Sequence, residues 1–537
     1  MHPRLLPFLL LLPLWTQAAP SLVVCTEAAP EGFDIVQYTA ANTADASAET
    51  LFDRLVQFAP GSTRIEPALA ERWTLSDDGL SYEFTLRQGV KFHTTAWFTP
   101  TRDFNADDVL WSFQRQLDPR HPWHERSPRG FPYAESMALG QLIERIEKLD
   151  DHRVRFVLRH PEAPFLADLA MGFASIYSAE YADRLLAAGT PEALNSRPIG
   201  TGPFVFQRYE KDAQVRFTAH PDYWGGRPAI DRLLLAITPD PNVRVQKLKA
   251  NDCQVAIYPR PTDIPVLRQE PELNVLEMDA LLVAYVGLNT RHPPLDDVRV
   301  RQAINLAFDR DAYLRAQFGE GNATLAAAPY PPSVLGYDPA LKPWAHDPAR
   351  ARQLLAEAGH ADGFHLSIWT RPGGGPTNPN PGIGAQMLQA DLAAVGIQAD
   401  IRVFEWGELI KRAKNGEHDL VFMGWVGDNG DPDNFLGPNL SCAAASSGEN
   451  LAGWCDPTFD ALIRQARAER DDTQRAVLYR QALGIFHQQA PWIPLAHPRQ
   501  FAVVRKGVSG YQLNPLGSNN FARVRWEGSQ AVSHPTE

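Results

Sequence analysis

Between Leu80 and Phe92 large apolar residues alternate with polar ones at Tyr82, Phe84 and Leu86, the period of a half-buried strand. Asp77-Asp78-Gly79 supplies the turn before it, and Asn105-Ala106-Asp107-Asp108 opens a helix through Val109, Trp111 and Phe113. A second strand is predicted over Arg153 to Leu158, and the turn Pro198-Ile199-Gly200-Thr201-Gly202-Pro203-Phe204 opens a third. That turn lacks the Lys and the following helix of a phosphate loop. The tryptophans of this half are read as core.

Further along, the period changes. Pro294-Leu295-Asp296-Asp297 leads into a helix with Val300, Ala303, Ile304 and Ala307 on one face. Asp347-Pro348 caps the next, whose stripe is Ala351, Leu354, Leu355 and Ala358 and whose end is Gly359. A strand at Phe364 to Trp369, a loop over 370–382, a helix near Ala385 to Ala394 and a strand at Gln398 to Phe404 follow. Strand-helix-strand order predicts an α/β fold with a mainly parallel sheet and helices outside it. Ligands of such sheets bind beyond the carboxyl ends of the strands, where loop 370–382, Trp406 and the loop after Leu420-Val421-Phe422-Met423 all fall.

The last of these, Gly424 to Phe435, is acidic and rich in glycine. Glycines at 424, 427 and 430 permit a sharp turn, so that Trp425 and Asp428 face one cavity. A carboxylate beside an indole suits a cationic ligand end. Ordinary turn chemistry is the competing reading, and for Asp431 and Asp433 the better one. Calcium is excluded by spacing, since counting from Asp428 or Asp431 puts Asn439 or Cys442 where the loop requires Glu.

Composition narrows the classes. A chain of 537 residues, 44% apolar with 45 prolines and 13 tryptophans, reads as ordered and globular, with roughly three domain-sized units. A net charge of −12 without a basic, aromatic-interleaved cluster excludes nucleic acid as a partner. His2 and Arg4, the apolar run Leu5 to Trp15 and Thr16-Gln17-Ala18 mark residues 1–18 as a cleaved signal peptide. No apolar run reaches the ~20 residues that span a bilayer, so the mature chain is expected to be exported and not membrane-spanning. Leu22-Val23-Val24 before Cys25 lacks the small residues of a lipid-attachment site.

Four cysteines in an exported chain favour disulfides over redox or zinc roles. Three connectivities are open; the local ring Cys442–Cys455 is preferred, which leaves Cys25 for Cys253. The chain has no Gly-x-Ser-x-Gly elbow and no His-Glu-x-x-His, and His93, His121 and His124 have no metal spacing. A binding protein is therefore preferred, with no metal and no cofactor. A secreted hydrolase of other geometry is the alternative from a different class.

Several long motifs resemble one family. Leu69-Ala70-Glu71-Arg72-Trp73 through Gly89-Val90-Lys91-Phe92-His93, Pro198 to Phe204, Tyr223-Trp224-Gly225, Val298 to Arg310 and Asp347 to Gly359 are similar to the family 5 extracellular solute-binding proteins of peptide ABC importers. The cysteine pattern, Pro30-Glu31-Gly32-Phe33, Glu405-Trp406-Gly407-Glu408 and Gly427 to Asp433 resemble its dipeptide-binding branch most closely. The resemblance implies a two-lobed periplasmic-binding-protein clamshell of the class II, cluster C type, with mixed sheets and a hinge between the lobes. Lobe I would span 19–279, with an extra subdomain over about 73–200; lobe II would span 280–499, and 500–537 would return to lobe I.

By position, Asp428 matches the carboxylate that takes a peptide's α-ammonium, and Trp425 and Trp406 match residues lining the pocket. Thr39, Ala40 and Ala41 match an extended segment that pairs with ligand backbone. The family's disulfides agree with the Cys442–Cys455 and Cys25–Cys253 pairing. One departure stands out. Where dipeptide-binding members fork an Arg onto the ligand carboxylate, this chain has Gly375, and Arg371 just before it is the candidate replacement. The other reading is a pocket open at that end, taking longer peptides. The implied role is a monomeric periplasmic protein that hands short peptides to an inner-membrane permease. Haem, an opine, a peptide antibiotic or a metal chelate is the alternative cargo.

Overall fold

Every residue of the strand Leu282–Leu288 is buried, because the strand is covered on both faces. Ala284, Val286 and Leu288 pack into one core with Val300, Ala303, Ile304 and Ala307, the stripe of the helix Val298–Ala307. Val283 and Tyr285 enter a second core on the opposite face with Trp369, Val421 and Phe435. Tyr285 stacks on Trp492 there, with ring centroids 3.6 Å apart.

The computed structural model of the chain describes residues 21–527, so the expected signal peptide lies outside the described residues. Leu282–Leu288 belongs to a twelve-stranded sheet that runs through two lobes. On the second-lobe side the order from the edge is Ile397–Val403, Phe364–Thr370, Leu420–Val426, Leu282–Leu288 and then the long strand Trp492–Arg505. On the first-lobe side follow Val255–Ile257, Ser21–Thr26, Arg232–Ile237, Gln214–Ala219 and Phe204–Glu210. The long strand joins the two: it starts against Leu282–Leu288 and ends against Val255–Ile257 and Leu273–Asp279.

The predicted mainly parallel sheet is in fact mixed. Phe364–Thr370 is parallel to Ile397–Val403, as the helix Pro381–Ala394 between them requires, and parallel to Leu420–Val426. Leu282–Leu288 is antiparallel to both of its neighbours, since strands brought together from distant parts of the chain carry no crossover constraint. The helix Pro348–Glu357 begins on its Asp347 cap, and Gly359 follows its end with φ +88°.

A separate antiparallel sheet of four strands stands on the first lobe, in the order Ala70–Leu75, Ser81–Leu86, Arg153–Leu158 and Ile143–Asp150. Ser81–Leu86 buries Tyr82, Phe84 and Leu86. The helix Ala106–Leu117 starts from Asn105 with a full capping box closed by Asp108. Trp111 and Trp123 are core residues.

Candidate ligand-binding cleft

Trp425 is the penultimate residue of the strand Leu420–Val426, whose first four residues are buried, and the acidic loop that follows runs into the helix Pro432–Leu440. Asp431 caps that helix by accepting from the Asp433 N–H at 2.9 Å. Only Gly430 needs a positive φ, +79°. Gly427 is small for another reason: a Cβ there would lie 2.6 Å from the Phe435 ring.

The loop brings Asp428 and Trp425 together through Asn434, which sequence reasoning did not single out. Asn434 Oδ1 accepts from the Asp428 N–H at 2.9 Å and from the Trp425 indole N–H at 3.3 Å. Its Nδ2 donates to Asp428 Oδ2 at 3.1 Å. The other carboxylate oxygen accepts from the hydroxyl of Tyr133, at 3.1 Å, a residue of the first lobe. Tyr133 sits in the short helix Pro132–Ser136, and nothing in its local pattern connects it to a loop so distant in the chain.

Asp428 is half-buried, and desolvation raises its pKa, with the Asn434 amide and the Tyr133 hydroxyl acting the other way. No charged group contributes to that shift among the described residues. Burial, and secondarily the nearby Asp428 charge, holds the Tyr133 phenol well above its ordinary range, so it remains a donor.

Arg371 follows the strand Phe364–Thr370, which neighbours the strand leading to Asp428. Its guanidinium lies over the Trp406 ring, 4.8 Å from the centroid. A Cβ at Gly375 would meet Arg371 Nη2 at 2.6 Å, so the guanidinium occupies the space beside the glycine. Desolvation alone lowers the Arg371 pKa. Trp406 is 49% exposed at the start of the helix Trp406–Lys414, so it forms an open shelf and not a closed wall.

The expectation for Thr39 to Ala41 needs a correction. Tyr38 and Ala40 are extended, but Ala41 begins the helix Ala41–Ala46, and the Ala40 carbonyl already accepts from the Thr43 and Ala44 N–H groups. A short helix draws Ala41 out of any strand-like pairing, which leaves Thr39 and Ala40.

The rest of the acidic loop meets the first lobe. Asn429 Nδ2 donates to Asp168 Oδ1 at 2.7 Å, and Arg467 Nε donates to Glu162 Oε1 at 2.6 Å. Arg467 also faces Asp433 at 3.4 Å, Arg475 pairs with Asp431 at 2.7 Å, and the Ala163 N–H donates to the Arg467 carbonyl at 2.8 Å. Asp431 and Asp433 thus do more than shape a turn. Glu162 and Asp433 share Arg467, Asp431 pairs with Arg475, and burial pushes Glu162 up to about 7 and Asp168 well above the carboxylate range.

Cys442 and Cys455 are disulfide-bonded, with Cα atoms 4.6 Å apart, and Cys25 is bonded to Cys253, at 5.9 Å. The first bond ties the start of the helix Cys442–Ser447, which follows the loop's helix, to the segment just before the helix Pro457–Ala468, which carries Arg467.

Among the described residues neither the Asp428 carboxylate nor the Arg371 guanidinium has a charged partner, and the mixed α/β sheets with helices packed on them are those of a two-lobed solute-binding protein of the clamshell class. The family model described as bacterial extracellular solute-binding proteins, family 5 (middle), matches residues 64–447, and the chain belongs to that family. It is 62% identical over 527 residues to di/tripeptide-binding protein 4 of Pseudomonas aeruginosa (strain UCBPP-PA14), covering 97% of this chain and 99% of that one. It is 48% identical over 509 residues to the dipeptide-binding protein of Escherichia coli (strain K12), covering 95% of each. The crystal structure of a dipeptide-binding protein from Pseudoalteromonas sp. SM9913 in complex with Met-Leu matches with a TM-score of 0.84 at 38% identity, over 94% of this chain and 100% of that chain. The family and these relatives are binding proteins. Among the described residues no helix is long and apolar enough to cross a membrane.

Proposed function

We propose that the chain is the periplasmic binding component of an ABC importer for short peptides, chiefly di- and tripeptides, which it captures between its lobes. One observation carries this reading. At the end of two parallel neighbouring strands stand a carboxylate held only by neutral donors and a guanidinium laid over an indole, with no charged partner for either among the described residues. A zwitterion supplies both missing charges. An extended dipeptide spans about 7 Å, at roughly 3.5 Å per residue, so its ends reach groups that follow neighbouring strands.

In this reading Asp428 takes the α-ammonium, Trp425 walls the first side chain, and Arg371 takes the terminal carboxylate in place of a side chain at Gly375. Thr39 and Ala40 offer backbone to the ligand from the first lobe. The exposed Trp406 favours tolerance of a third residue, because the cleft is open at that end. Lobe limits of 19–279, 280–499 and 500–537, with a subdomain over about 73–200, fit a hinge where the long strand Trp492–Arg505 passes between lobes. The signal peptide at 1–18 directs export. The monomer then presents its closed form to an inner-membrane permease.

The test is calorimetry with Ala-Leu, N-acetyl-Ala-Leu and Ala-Leu-amide. Each blocked end is expected to weaken binding by roughly tenfold or more, from about 1.5 to 3 kcal/mol per charged hydrogen bond lost. Equal affinity for all three would sink the zwitterion reading, and cleavage of any of them would favour a hydrolase.

A further inference from the structure

We infer that Asn434 is a positioning residue that couples the ammonium anchor to the aromatic wall and so sets the preference for a free ligand amine. This rests on the reading of Asp428 as the anchor. Asn434 lies in the first turn of the helix Pro432–Leu440, with its own N–H donated to the Asp431 carbonyl at 3.1 Å, and it is 9% exposed. One amide serves both site residues: Oδ1 receives the Asp428 N–H and the Trp425 indole, and Nδ2 reaches Asp428 Oδ2. Its orientation is forced. Turned over, the amide would set Nδ2 against two N–H donors and Oδ1 against a carboxylate.

The choice of an amide is informative. Lys or Arg at this position would neutralise Asp428 and compete with an incoming ammonium. A neutral donor fixes the carboxylate in place and leaves its charge for the ligand. Tyr133 does the same for the other oxygen but belongs to the first lobe, so its support depends on closure. Asn434 sits on the same lobe as Asp428 and holds the anchor whatever the lobes do. It is the part of the site that exists before the ligand is enclosed.

The experiment compares Asn434→Ala and Asn434→Leu with the parent protein, reading Kd by calorimetry for Ala-Leu and N-acetyl-Ala-Leu. Ala is the strongest helix former and keeps the helix, and Leu keeps the side-chain volume. Both variants are expected to weaken Ala-Leu by about tenfold and to shrink the free-to-acetylated affinity ratio by the same factor. With Asp428→Asn already present, adding Asn434→Ala is expected to cost less than about twofold, the non-additivity of residues acting through one group. Unchanged affinity and ratio in both variants would overturn the inference, as would equal weakening of the two peptides, the mark of a structural role alone. If Asp428→Asn itself keeps the parent preference, the anchor reading fails instead, whatever Asn434 does.

Discussion

An ionised carboxylate partly withdrawn from water and touched only by neutral donors is costly until a cation arrives. Asp428 is in that position, and its energetics have a definite sign. Burial raises its pKa above the ordinary 3.8, so the ligand-free fold holds this proton more tightly than the unfolded chain does. Its contribution to stability therefore declines as the pH rises from the unfolded pKa through the raised one. A bound ammonium reverses the trend: peptide affinity should climb over the same interval as the carboxylate ionises. Asp428→Asn should bind Ala-Leu roughly 30- to 150-fold more weakly, at about 2 to 3 kcal/mol for a buried charged partner. It should also lose the difference in pH profile, while its ligand-free Tm at pH 7 stays no lower than the parent's. At the other end, Arg371→Ala should remove discrimination between Ala-Leu and its amide. Gly375→Arg alone should gain little, because the new side chain collides with Arg371, whereas the double variant should recover the discrimination.

Elements explain how the ends of two loops distant in the chain come to lie at one end of the sheet. Phe364–Thr370 and Leu420–Val426 are parallel neighbours, so Arg371 and the acidic loop emerge at the same end of the sheet. That placement was readable from the order of strands and helices. The loop's internal bonding was not, because Asn434 and Asp428 are joined by side-chain geometry that hydrophobic periodicity does not encode. Glycine spacing misled in part, as close packing and not backbone freedom accounts for Gly427. The Cys442–Cys455 bond closes a small ring between two helices that flank the interlobe contacts. Replacing both cysteines with Ser should cost about 3 kcal/mol in the chain-entropy model, lowering Tm by several degrees in thermal unfolding. Cleft affinity should fall less than stability, since the bond lies behind the anchor.

Across the whole molecule, the acidic loop faces two ways. In the proposed site Asp428 addresses the ligand, while its neighbour Asn429 binds Asp168 of the first lobe. Arg467 adds a bridge to Glu162, whose surroundings also include His160, Asp433, Asp431 and Asp168. Contacts that exist only when the lobes meet should slow ligand release more than they speed capture. Arg467→Ala is expected to raise the dissociation rate of Ala-Leu about tenfold with little change in association rate, and to leave the liganded protein less compact by small-angle scattering. A parent-like dissociation rate would show that these bonds do not hold the closed form.

Local pattern by itself determined the helices opened by Asn105 and Asp347, the buried stripe of Val298–Ala307, the alternating strand at Ser81–Leu86 and the location of the acidic loop, because those depend on residues a few positions apart. Family motifs extended this to the two-lobed class and agreed with the disulfide pairing. Only the tertiary structure decided which strands of the sheet run antiparallel, that Ala41 is helical and that Asn434 and Tyr133 hold Asp428. It alone seated Arg371 beside Gly375 and turned Asp433 toward Arg467. The reason is physical: a hydrogen bond between residues far apart in the chain has no period, and its partners are chosen by whichever surfaces the packed cores bring face to face.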